Sequence, residues 1–390
     1  MKITHICLCG PVTDGFSYQD NLLPKYHGKA GHEVSLITSK WIWSHGGKII
    51  KTNKEKYTNQ DAVKMYRLEL IGKDIFSKKI KTYKNFYKIL ECTKPDIIFV
   101  HGVQFLDIIK VKKYVKNNPS VKIFVDNHAD YSNSASNWIS KNILHKIVWK
   151  FCAKQIEQYT TKFYGVLPAR VDFLNKIYGI PKEKIELLIM GGDDFFVEKY
   201  MNISEIINIK SELDILPTDF VIVTGGKIDS AKKQTLLLME AMRSIKKKDV
   251  KLIVFGNVTS ELKEQFDKYL SDDRIIYLGW LSVEESYKYF SIADLVIFPG
   301  RHSVYWEQVV ALGVPMLIKY WEGTTHVDIG GNVDYLIEDS IEEIQDKIQE
   351  LINNPKKYKT LKMNAQSIDK NNFLYSNIAE KSIRTRKKES

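Results

Sequence analysis

The segment Trp306–Pro315 joins a carboxylate to a short apolar helix, which a Gly-x-Pro turn ends before the strand Met316–Lys319. An apolar strand and the turn Pro299-Gly300 come just before it. At the carboxyl edge of a parallel sheet, a strand, a turn and a helix N-terminus together favour a bound anion. Glu307 lies in the first turns of this helix, where its carboxylate can accept hydrogen bonds from a sugar diol. The segment therefore predicts an anion-binding site, with a carboxylate beside it that can accept hydrogen bonds from a diol.

A second candidate is the loop Gly225–Gln234, which follows one predicted strand and precedes a predicted helix. It carries Lys227, Lys232 and Lys233. A leaving anion such as a diphosphate requires neutralisation, and cations with a helix N-terminus supply it without a metal. Lysine is a point charge without the guanidinium fork, so the loop predicts less directional diphosphate binding. A basic surface turn is the alternative interpretation.

Polar residues also follow strands of the first half. His101 ends one apolar strand, and His128 follows another. A lone histidine is ordinarily structural, so its place at the carboxyl end of a strand is what favours a functional role. The turn after the first strand contains Asp14 and Gly15. Glycine permits close approach of the backbone to a ligand, and the adjacent carboxylate can contact a hydroxyl group.

Strands and helices alternate along the chain in two series. In the first, strands are predicted at 3–8, 33–38, 95–101, 121–126, 163–166 and 185–189, and helices at 21–30, 143–160 and 171–178. In the second, strands are predicted at 220–224, 250–255, 275–278, 293–298 and 316–319, and helices at 234–245, 260–269, 283–291 and 341–353. The strands are apolar runs, which fit buried parallel sheets, and we find no hairpin signals. The pattern predicts an α/β protein with two doubly wound domains. We expect an acceptor-side domain at 1–197, a nucleotide-sugar domain at 198–370, and a C-terminal helix and basic tail at 371–390 that packs back on the first domain.

Several short motifs, in this order and spacing, resemble retaining glycosyltransferases of family 4. They are Lys29-Ala30-Gly31-His32-Glu33-Val34, Lys94-Pro95-Asp96-Ile97-Ile98, Leu278-Gly279-Trp280-Leu281-Ser282 with Glu284-Glu285, and Asn353-Asn354-Pro355 with Ala365. The block around Glu307 resembles the family's E-x-F-G-(x)4-E-A-M-A-x-G-x-P, with Glu307 as the second Glu and Pro299 in the place of the first. The resemblance covers nearly the whole chain. It implies a GT-B fold, in which two Rossmann-like domains face each other across a cleft.

The resemblance also implies roles for single residues. Glu307 would hold the ribose diol, and Lys227 stands where the family has an arginine in its G-R-x(4–5)-K-G loop. Lys233, or Lys232 one residue earlier, takes the lysine position. His128 resembles the family's His-Asp turn and would contact a hydroxyl of the donor sugar. The other implied contacts are donor binding by Gly15, Gly226, Gly256, Asn257, Arg301, His302 and Ser303, and acceptor binding by Asp14 and His101.

The segment Arg301-His302-Ser303 departs from the family, which has a carboxylate and backbone amides here. Three interpretations stay open. The donor sugar carries a negative group; or Arg301 and His302 bind the β-phosphate and compensate for Lys227; or the donor site is altered, weak or inactive.

The charge is uneven along the chain. Residues 1–195 hold 31 Lys and Arg against 18 Asp and Glu, and the remainder holds 27 against 29. The excess includes a run of lysines interleaved with aromatic residues, formed by Lys78, Lys79, Lys81, Lys84 and Lys88 with Phe76, Tyr83, Phe86 and Tyr87, and followed by Lys110, Lys112, Lys113 and Lys116. We interpret this run as a surface for anionic membrane; a solvated helix face and a nucleic-acid surface are the alternatives. The four cysteines show no metal or redox spacing, which fits a reducing cytoplasm.

The sequence therefore predicts a retaining, metal-independent hexosyl- or N-acetylhexosaminyl-type glycosyltransferase of the cytoplasm, with the inner face of the membrane as a second option for its location. The donor is a nucleotide-diphosphate sugar and no other cofactor is expected. The acceptor is a glycan or lipid-linked glycan of surface polysaccharide assembly, and no nucleic acid is involved. Two alternative interpretations with the same fold are a sugar-nucleotide epimerase and a catalytically silent subunit that binds a partner enzyme.

Overall fold

Two separate parallel sheets organise the chain. The computed structural model describes residues 1–44, 48–72, 79–230 and 232–385. Its contacts divide the chain into one unit of Met1–Ile189 with the described residues from Tyr375 on, and a second unit of Met190–Leu374. The boundary expected after residue 197 lies after residue 189, eight residues earlier. The boundary expected after residue 370 lies after residue 374, four residues later.

The first unit is built on a sheet with the strand order β10-β9-β8-β7-β1-β2-β6-β5. All neighbours are parallel except β5 and β6, and β3 and β4 form a separate antiparallel pair. Because β2 lies on one side of β1 and β7 on the other, the strand order reverses between β1 and β7, where such sheets bind ligands. The strands are β1 (Lys2–Cys7), β2 (Glu33–Ser39), β3 (Trp41–Trp43), β4 (Ile49–Lys51), β5 (Lys56–Thr58), β6 (Lys64–Leu68), β7 (Ile97–His101), β8 (Lys122–Asn127), β9 (Thr160–Gly165) and β10 (Ile185–Leu187).

Helices cover this sheet with apolar side chains. They are α1 (Gln19–Lys29), α2 (Phe86–Thr93), α3 (Ile108–Asn117), a π-helix (Ser140–Trp149), α4 (Lys150–Ile156) and α5 (Pro168–Lys176), with short 3-10 turns at Glu157–Tyr159 and Lys182–Lys184. The C-terminal helix Tyr375–Ser382 belongs to the same unit, and Tyr375 stacks on Tyr26 of α1 with ring centroids 6.2 Å apart.

Two details of the first unit differ from the sequence-based prediction. The segment 41–68 contains two antiparallel strand pairs, β3 with β4 and β5 with β6, so the expectation of no hairpins is wrong. These strands are three to five residues long, which is too short for a clear alternating pattern. The helix expected at 143–160 begins at Ser140 and ends before Thr160, which instead opens β9.

The second unit has a fully parallel sheet with the order β13-β12-β11-β14-β15-β16. Its strands are β11 (Phe220–Gly225), β12 (Val250–Phe255), β13 (Ile275–Tyr277), β14 (Leu295–Phe298), β15 (Met316–Lys319) and β16 (Val333–Leu336). Its helices are α6 (Asp194–Tyr200), α7 (Ile203–Glu212), α8 (Gln234–Ser244), α9 (Ser260–Tyr269), α10 (Val283–Ser291), α11 (Tyr305–Leu312), α12 (Ile341–Asn353) and α13 (Pro355–Ala365), with 3-10 turns at Thr325–Val327 and Ile368–Phe373. The strand order reverses between β11 and β14, which makes that edge the expected ligand site.

Two aromatic residues of the lysine-rich run after residue 75 are buried. Tyr83 and Phe86 are 3% and 0% exposed and belong to the core of the first unit. The ammonium group of Lys81 donates to the carbonyl of Cys9, so this lysine points inward as well. Lys78 and Phe76 lie outside the described residues. Tyr83, Phe86 and Lys81 therefore do not belong to the expected membrane surface, whereas Tyr87 is partly exposed and the rest of that surface stays a prediction.

Within the described ranges, no helix has both the length and the hydropathy that a membrane crossing requires.

Candidate functional site

The loops after β11 and β14 meet at the reversal point of the second sheet. Gly225 ends β11, and Gly300 follows β14 after Pro299. A β-carbon built on Gly300 would lie 3.3 Å from Oε1 of Gln234 and 3.8 Å from Cα of Lys232. That Gln234 oxygen is buried and has no hydrogen-bond partner among the described residues. The crevice between these loops thus contains the N-terminus of α8 and a buried polar atom without a partner.

Three cations gather at this crevice. Burial lowers the pKa of the half-buried Lys232; Asp229 opposes that shift, while Arg301 and Lys227 lower the pKa further. Lys227 lies 3.0 Å from the Asp229 carboxylate. Arg301 is exposed and forms no ion pair with any residue in the described part of the chain. Positive charge is therefore in excess here, which favours an anion between these side chains.

The structure distinguishes the two lysines that the sequence left as alternatives. Lys232 is half-buried beside Gly300 and close enough to Arg301 for the two charges to interact. Lys233 is exposed, and the charge it acts on is that of Asp339. The geometry therefore favours Lys232 over Lys233 as the lysine of the crevice.

Two glycine loops pack against each other at the same edge. Gly256 has φ +126°, and a β-carbon there would lie 1.8 Å from the carbonyl oxygen of Gly226, so only glycine fits. The Ile228 N–H donates to the carbonyl of Asn257 over 2.9 Å. The structure thus brings Gly226, Gly256 and Asn257 together, as expected for donor-binding residues. A β-carbon on Gly226 would meet nothing within 4 Å, so this glycine has open space beside it.

Glu307 is buried, contrary to the expectation that it meets a ribose. Its side chain is 0% exposed, and Oε1 accepts hydrogen bonds from Nε2 of His302 and of His326, each over 2.9 Å. Burial would raise the pKa of this carboxyl group, but His302 and His326 outweigh it and hold the pKa well below its usual range. Both imidazole rings bind Oε1, and Oε2 is buried without a partner among the described residues. The carboxylate is thus an internal anchor of α11, and it is closed to a sugar diol in this arrangement.

The contact between His302 and Glu307 also changes the interpretation of the segment 301–303. His302 donates to Glu307 and packs edge-on against Trp306, with ring centroids 5.0 Å apart, so it faces inward. The hydroxyl of Ser303 lies 3.4 Å from the Tyr305 N–H at the start of α11, which is a local contact. Of the three residues, Arg301 is the one that remains exposed at the crevice.

Two groups of side chains have the residue types that bind transition metals: His302 with Glu307 and His326, and His101 with Asp126 and His128. In the first group both Nε2 atoms donate to the carboxylate, and Nδ1 of His326 is buried without a partner among the described residues. Histidines that bind metals normally donate the other ring N–H to an acceptor. The first group therefore lacks this support at His326. In the second group, Nε2 of His101 contacts His5, and Nδ1 contacts the group's own carboxylate, Asp126. Metal independence stays a prediction.

Three buried histidines, His27, His5 and His101, form a hydrogen-bonded series at the strands β1 and β7, between which the strand order of the first sheet reverses. Nε2 of His27 contacts the carbonyl of Ala379 over 3.0 Å, and Nδ1 of His27 contacts Nε2 of His5 over 3.0 Å. Nδ1 of His5 contacts Nε2 of His101 over 2.9 Å, and Nδ1 of His101 contacts Oδ2 of Asp126 over 2.8 Å. This hydrogen-bonded series connects the C-terminal helix with the carboxyl end of β8.

The hydrogen-bond pattern fixes the protons along this chain. A carbonyl only accepts, so Nε2 of His27 carries hydrogen and Nδ1 accepts from His5. His5 must then accept from His101 in the same way. Burial lowers the pKa of His27 to about 4 and that of His5 well below 6.5, which keeps both rings neutral. Nδ1 of His101 must therefore share a proton with Asp126.

The two ends of that last contact are ionised. Burial opposes charge on both groups, but Asp126 raises the pKa of His101, and His101 with His128 holds the pKa of Asp126 well below its usual range. Nε2 of His128 lies 3.3 Å from the same Asp126 oxygen. Nε2 of His128 is directed at Asp126, and its side chain is 40% exposed, so Nδ1 is the ring nitrogen that can face a ligand. His128 is thus available to a ligand hydroxyl.

Two residues expected at an acceptor site have structural roles instead. His101 is 2% exposed with both ring nitrogens engaged, so it cannot touch an acceptor. Asp14 binds Arg67 through one oxygen, over 2.9 Å, and accepts from the Tyr57 hydroxyl through the other, over 2.7 Å. These contacts fix the turn that leads to Gly15, which is exposed with φ +82°.

Sequence reasoning did not assign roles to His5, His27, Asp126, Arg67 or His326. A signal was present for His5, because a histidine within an apolar parallel strand needs an internal partner. The partner His27 lies on α1, and its contact with His5 depends on how the helix packs on the sheet. Arg67 and His326 carried no comparable signal, because their partners are 53 and 19 residues away along the chain.

Residues 205–368 match the family model described as Glycosyl transferases group 1. No curated protein sequence matches the chain significantly. Among solved structures, the chain is similar to sucrose-phosphate synthase from Thermosynechococcus elongatus, with TM-score 0.68, 15% identity and coverage of 97% of this chain and 96% of that one. It is similar to Anabaena HepE in complex with UDP and glucose, with TM-score 0.67, 14% identity and coverage of 98% of both chains. It is also similar to UDP-GlcNAc 2-epimerase from Neisseria meningitidis, with TM-score 0.63, 13% identity and coverage of 99% of both.

These comparisons confirm the predicted fold class, an α/β protein of the GT-B type with two Rossmann-like units. At this level of identity, the structural neighbours establish the fold only. The family match covers the second unit, which contains the cationic crevice, and it supports a glycosyl transfer function for the chain.

Proposed function

We propose that this chain is a retaining glycosyltransferase that moves a sugar from a nucleotide-diphosphate sugar to a glycan or lipid-linked glycan acceptor. The proposal rests on the family match over 205–368, the GT-B fold and the cationic crevice of the second unit. Anabaena HepE holds UDP and glucose on the same fold, which makes uridine donors the first to test.

The observation that carries the proposal is the position of Lys232. It lies in the loop that leads into α8, beside Gly300 and within electrostatic reach of Arg301 and Lys227. A diphosphate placed there meets these cations and the N-terminus of α8. Arg301 then supplies the forked donor that the lysine loop lacks, which favours the β-phosphate interpretation of that residue.

In the proposed reaction, the bond between the sugar's anomeric carbon and the diphosphate oxygen breaks, and a bond from the acceptor oxygen to that carbon forms on the same face. The acceptor's proton passes to the departing phosphate. No protein base is required, and the residues of the crevice act by neutralising the charge that develops on the diphosphate.

In the first unit, we propose that His128 contacts a hydroxyl of the donor sugar. Its side chain is 40% exposed, and Nε2 is directed at Asp126, so Nδ1 is the nitrogen that can contact the sugar. Asp126 is a positioning residue in this proposal, because it is 0% exposed and acts only through the rings it binds.

The test is to incubate the protein with UDP-, GDP- and dTDP-sugars and to measure nucleoside diphosphate release and the sugar product separately. Release of the nucleotide together with a glycosylated acceptor supports the proposal. Release of an isomerised sugar, or an isomerised donor, would assign an epimerase. Binding of nucleotide without turnover would assign the silent subunit suggested by Pro299.

A further inference from the structure

The helical segment 138–151 presents a row of exposed apolar side chains, which we call the 138–151 face. Its members are Trp138 (70% exposed), Ile139 (58%), Ile143 (42%), Ile147 (62%) and Phe151 (49%). Four of them follow one another at intervals of four residues through the π-helix and into α4. That spacing places them on one side of the helix.

The opposite side of the same helix already supplies the core. His145, Trp149 and Cys152 are buried, and Leu144 and Val148 pack against the core of the first unit. A surface helix normally has polar side chains on its outer side, whereas this one also has a row of apolar side chains there. The outer apolar residues therefore do not serve the folding of this unit, and a contiguous exposed apolar row of this kind marks an interaction surface.

The charge around the 138–151 face has a single sign. Residues 131–156 hold four lysines and no Asp or Glu. Lys146 and Lys150 are exposed, and within the described ranges neither forms an ion pair. Lys154 is paired with Glu157 over 2.6 Å at the end of the segment.

We propose that the 138–151 face docks on the surface of an anionic lipid membrane. An interfacial helix buries Trp, Ile and Phe at the level of the headgroups while lysines contact anionic lipids, and this segment has both features on one element. A second copy of the chain fits less well, because a symmetric contact would bring the lysines of both copies together without a carboxylate to pair them.

This inference goes beyond glycosyl transfer, and its test requires no donor or acceptor. It also differs from the membrane surface that the sequence suggested, since it depends on apolar residues after position 137 and not on the lysines between 78 and 88.

The test is co-sedimentation with phosphatidylcholine vesicles, with and without phosphatidylglycerol. The test variant combines Ile139→Ser, Ile143→Ser and Ile147→Ser. The matched control combines Ile203→Ser and Ile207→Ser on α7, where both isoleucines are also exposed, at 73% and 61%. We expect the test variant to bind anionic vesicles about tenfold more weakly or worse, and the control to bind like wild type. Circular dichroism and thermal unfolding establish that both variants fold.

A second pair of variants separates charge from apolar contact. Lys146→Glu with Lys150→Glu should remove the preference for phosphatidylglycerol, and added salt should weaken wild-type binding in the same direction. The proposal is overturned if wild type ignores anionic vesicles at low salt, or if the test variant binds as wild type does. It is also overturned if light scattering shows a dimer that the serine variant dissociates while vesicle binding stays unchanged.

Discussion

Nδ1 of His101 lies 2.8 Å from Oδ2 of Asp126, and both side chains are buried in the first unit. The contact ends a hydrogen-bonded series that begins at the carbonyl of Ala379, so residues far apart in sequence jointly determine the charge of one buried pair. The same Asp126 oxygen faces His128. The pair therefore links the folding of the first unit to the orientation of an exposed imidazole.

Substitution of Asp126 tests this link. Asp126→Asn leaves the His101 charge buried without its partner, and we expect a loss of about 3–5 kcal/mol in the free energy of unfolding. Turnover should fall as well, because His128 loses the acceptor that fixes its proton. Thermal unfolding and initial rates measure the two effects. His128→Gln is the control, since it should lower turnover with little loss of stability; an Asp126→Asn protein as stable as wild type contradicts the assignment of an ionised pair.

The neutral histidines predict a pH dependence of stability. The pKa of His27 is about 4 in the folded protein and about 6.5 in an unfolded chain, so both forms are neutral above about pH 6.5. Below that pH the unfolded chain takes up a proton that the folded protein does not, and stability falls by roughly 3 kcal/mol by about pH 4. His5 and His145 have lowered pKa values and act in the same direction. The raised pKa of His101 gives a contribution that is complete below about pH 6.5 and is lost only at higher pH.

Melting temperatures between about pH 7.5 and about pH 4.5 measure this dependence. His27→Gln keeps a donor for the Ala379 carbonyl and removes the titrating ring, so its melting temperature should fall less steeply with pH. Equal slopes for wild type and the variant would show that His27 is not the titrating group.

The buried position of Glu307 predicts a stability effect where the sequence predicted a ribose contact. Glu307→Gln removes the charge that two imidazoles bind, and we expect unfolding to become easier by about 3–5 kcal/mol. The control is Glu284→Gln, whose partner Lys199 is at the surface, where the loss should be under about 1 kcal/mol. If Glu307→Gln keeps wild-type stability and instead weakens nucleotide binding, the ribose role is correct.

Much of the fold could be predicted from the sequence, because buried parallel strands are short apolar runs between turns. The strands Val250–Phe255 and Met316–Lys319 and the helices Ser260–Tyr269, Val283–Ser291 and Ile341–Asn353 have the predicted bounds. Helix α10 carries its own start signal, since Ser282 and Glu285 form a capping box. Local signals of this kind can be recognised in the sequence without knowledge of the tertiary contacts.

The candidate site was less predictable, because motif position does not determine burial. Gly226, Gly256 and Asn257 meet because backbone geometry at the strand ends demands glycine. Glu307 also lies at a helix start, but His326 reaches it from another loop and covers it. Likewise, only the packing of the loop after β14 on the loop after β11 separates Lys232 from its neighbour Lys233.

Metal dependence is a further prediction. Since the cations of the crevice neutralise the diphosphate in this proposal, turnover should survive dialysis against a chelator. Initial rates before and after the treatment, and after addition of manganese, magnesium or zinc, provide the measurement. Loss of activity that one of these ions restores would show that a metal takes part.

The most direct test of the account is nucleoside diphosphate binding by Lys232→Ala and Lys233→Ala, measured by calorimetry beside wild type. The two variants lose the same charge one residue apart, so they differ only in which side chain faces Gly300 and Arg301. We expect Lys232→Ala to weaken binding, and turnover with a donor sugar, by roughly 2–3 kcal/mol, and Lys233→Ala to stay within about 0.5 kcal/mol of wild type. Unchanged binding and turnover in Lys232→Ala would contradict a donor diphosphate site at the crevice between β11 and β14.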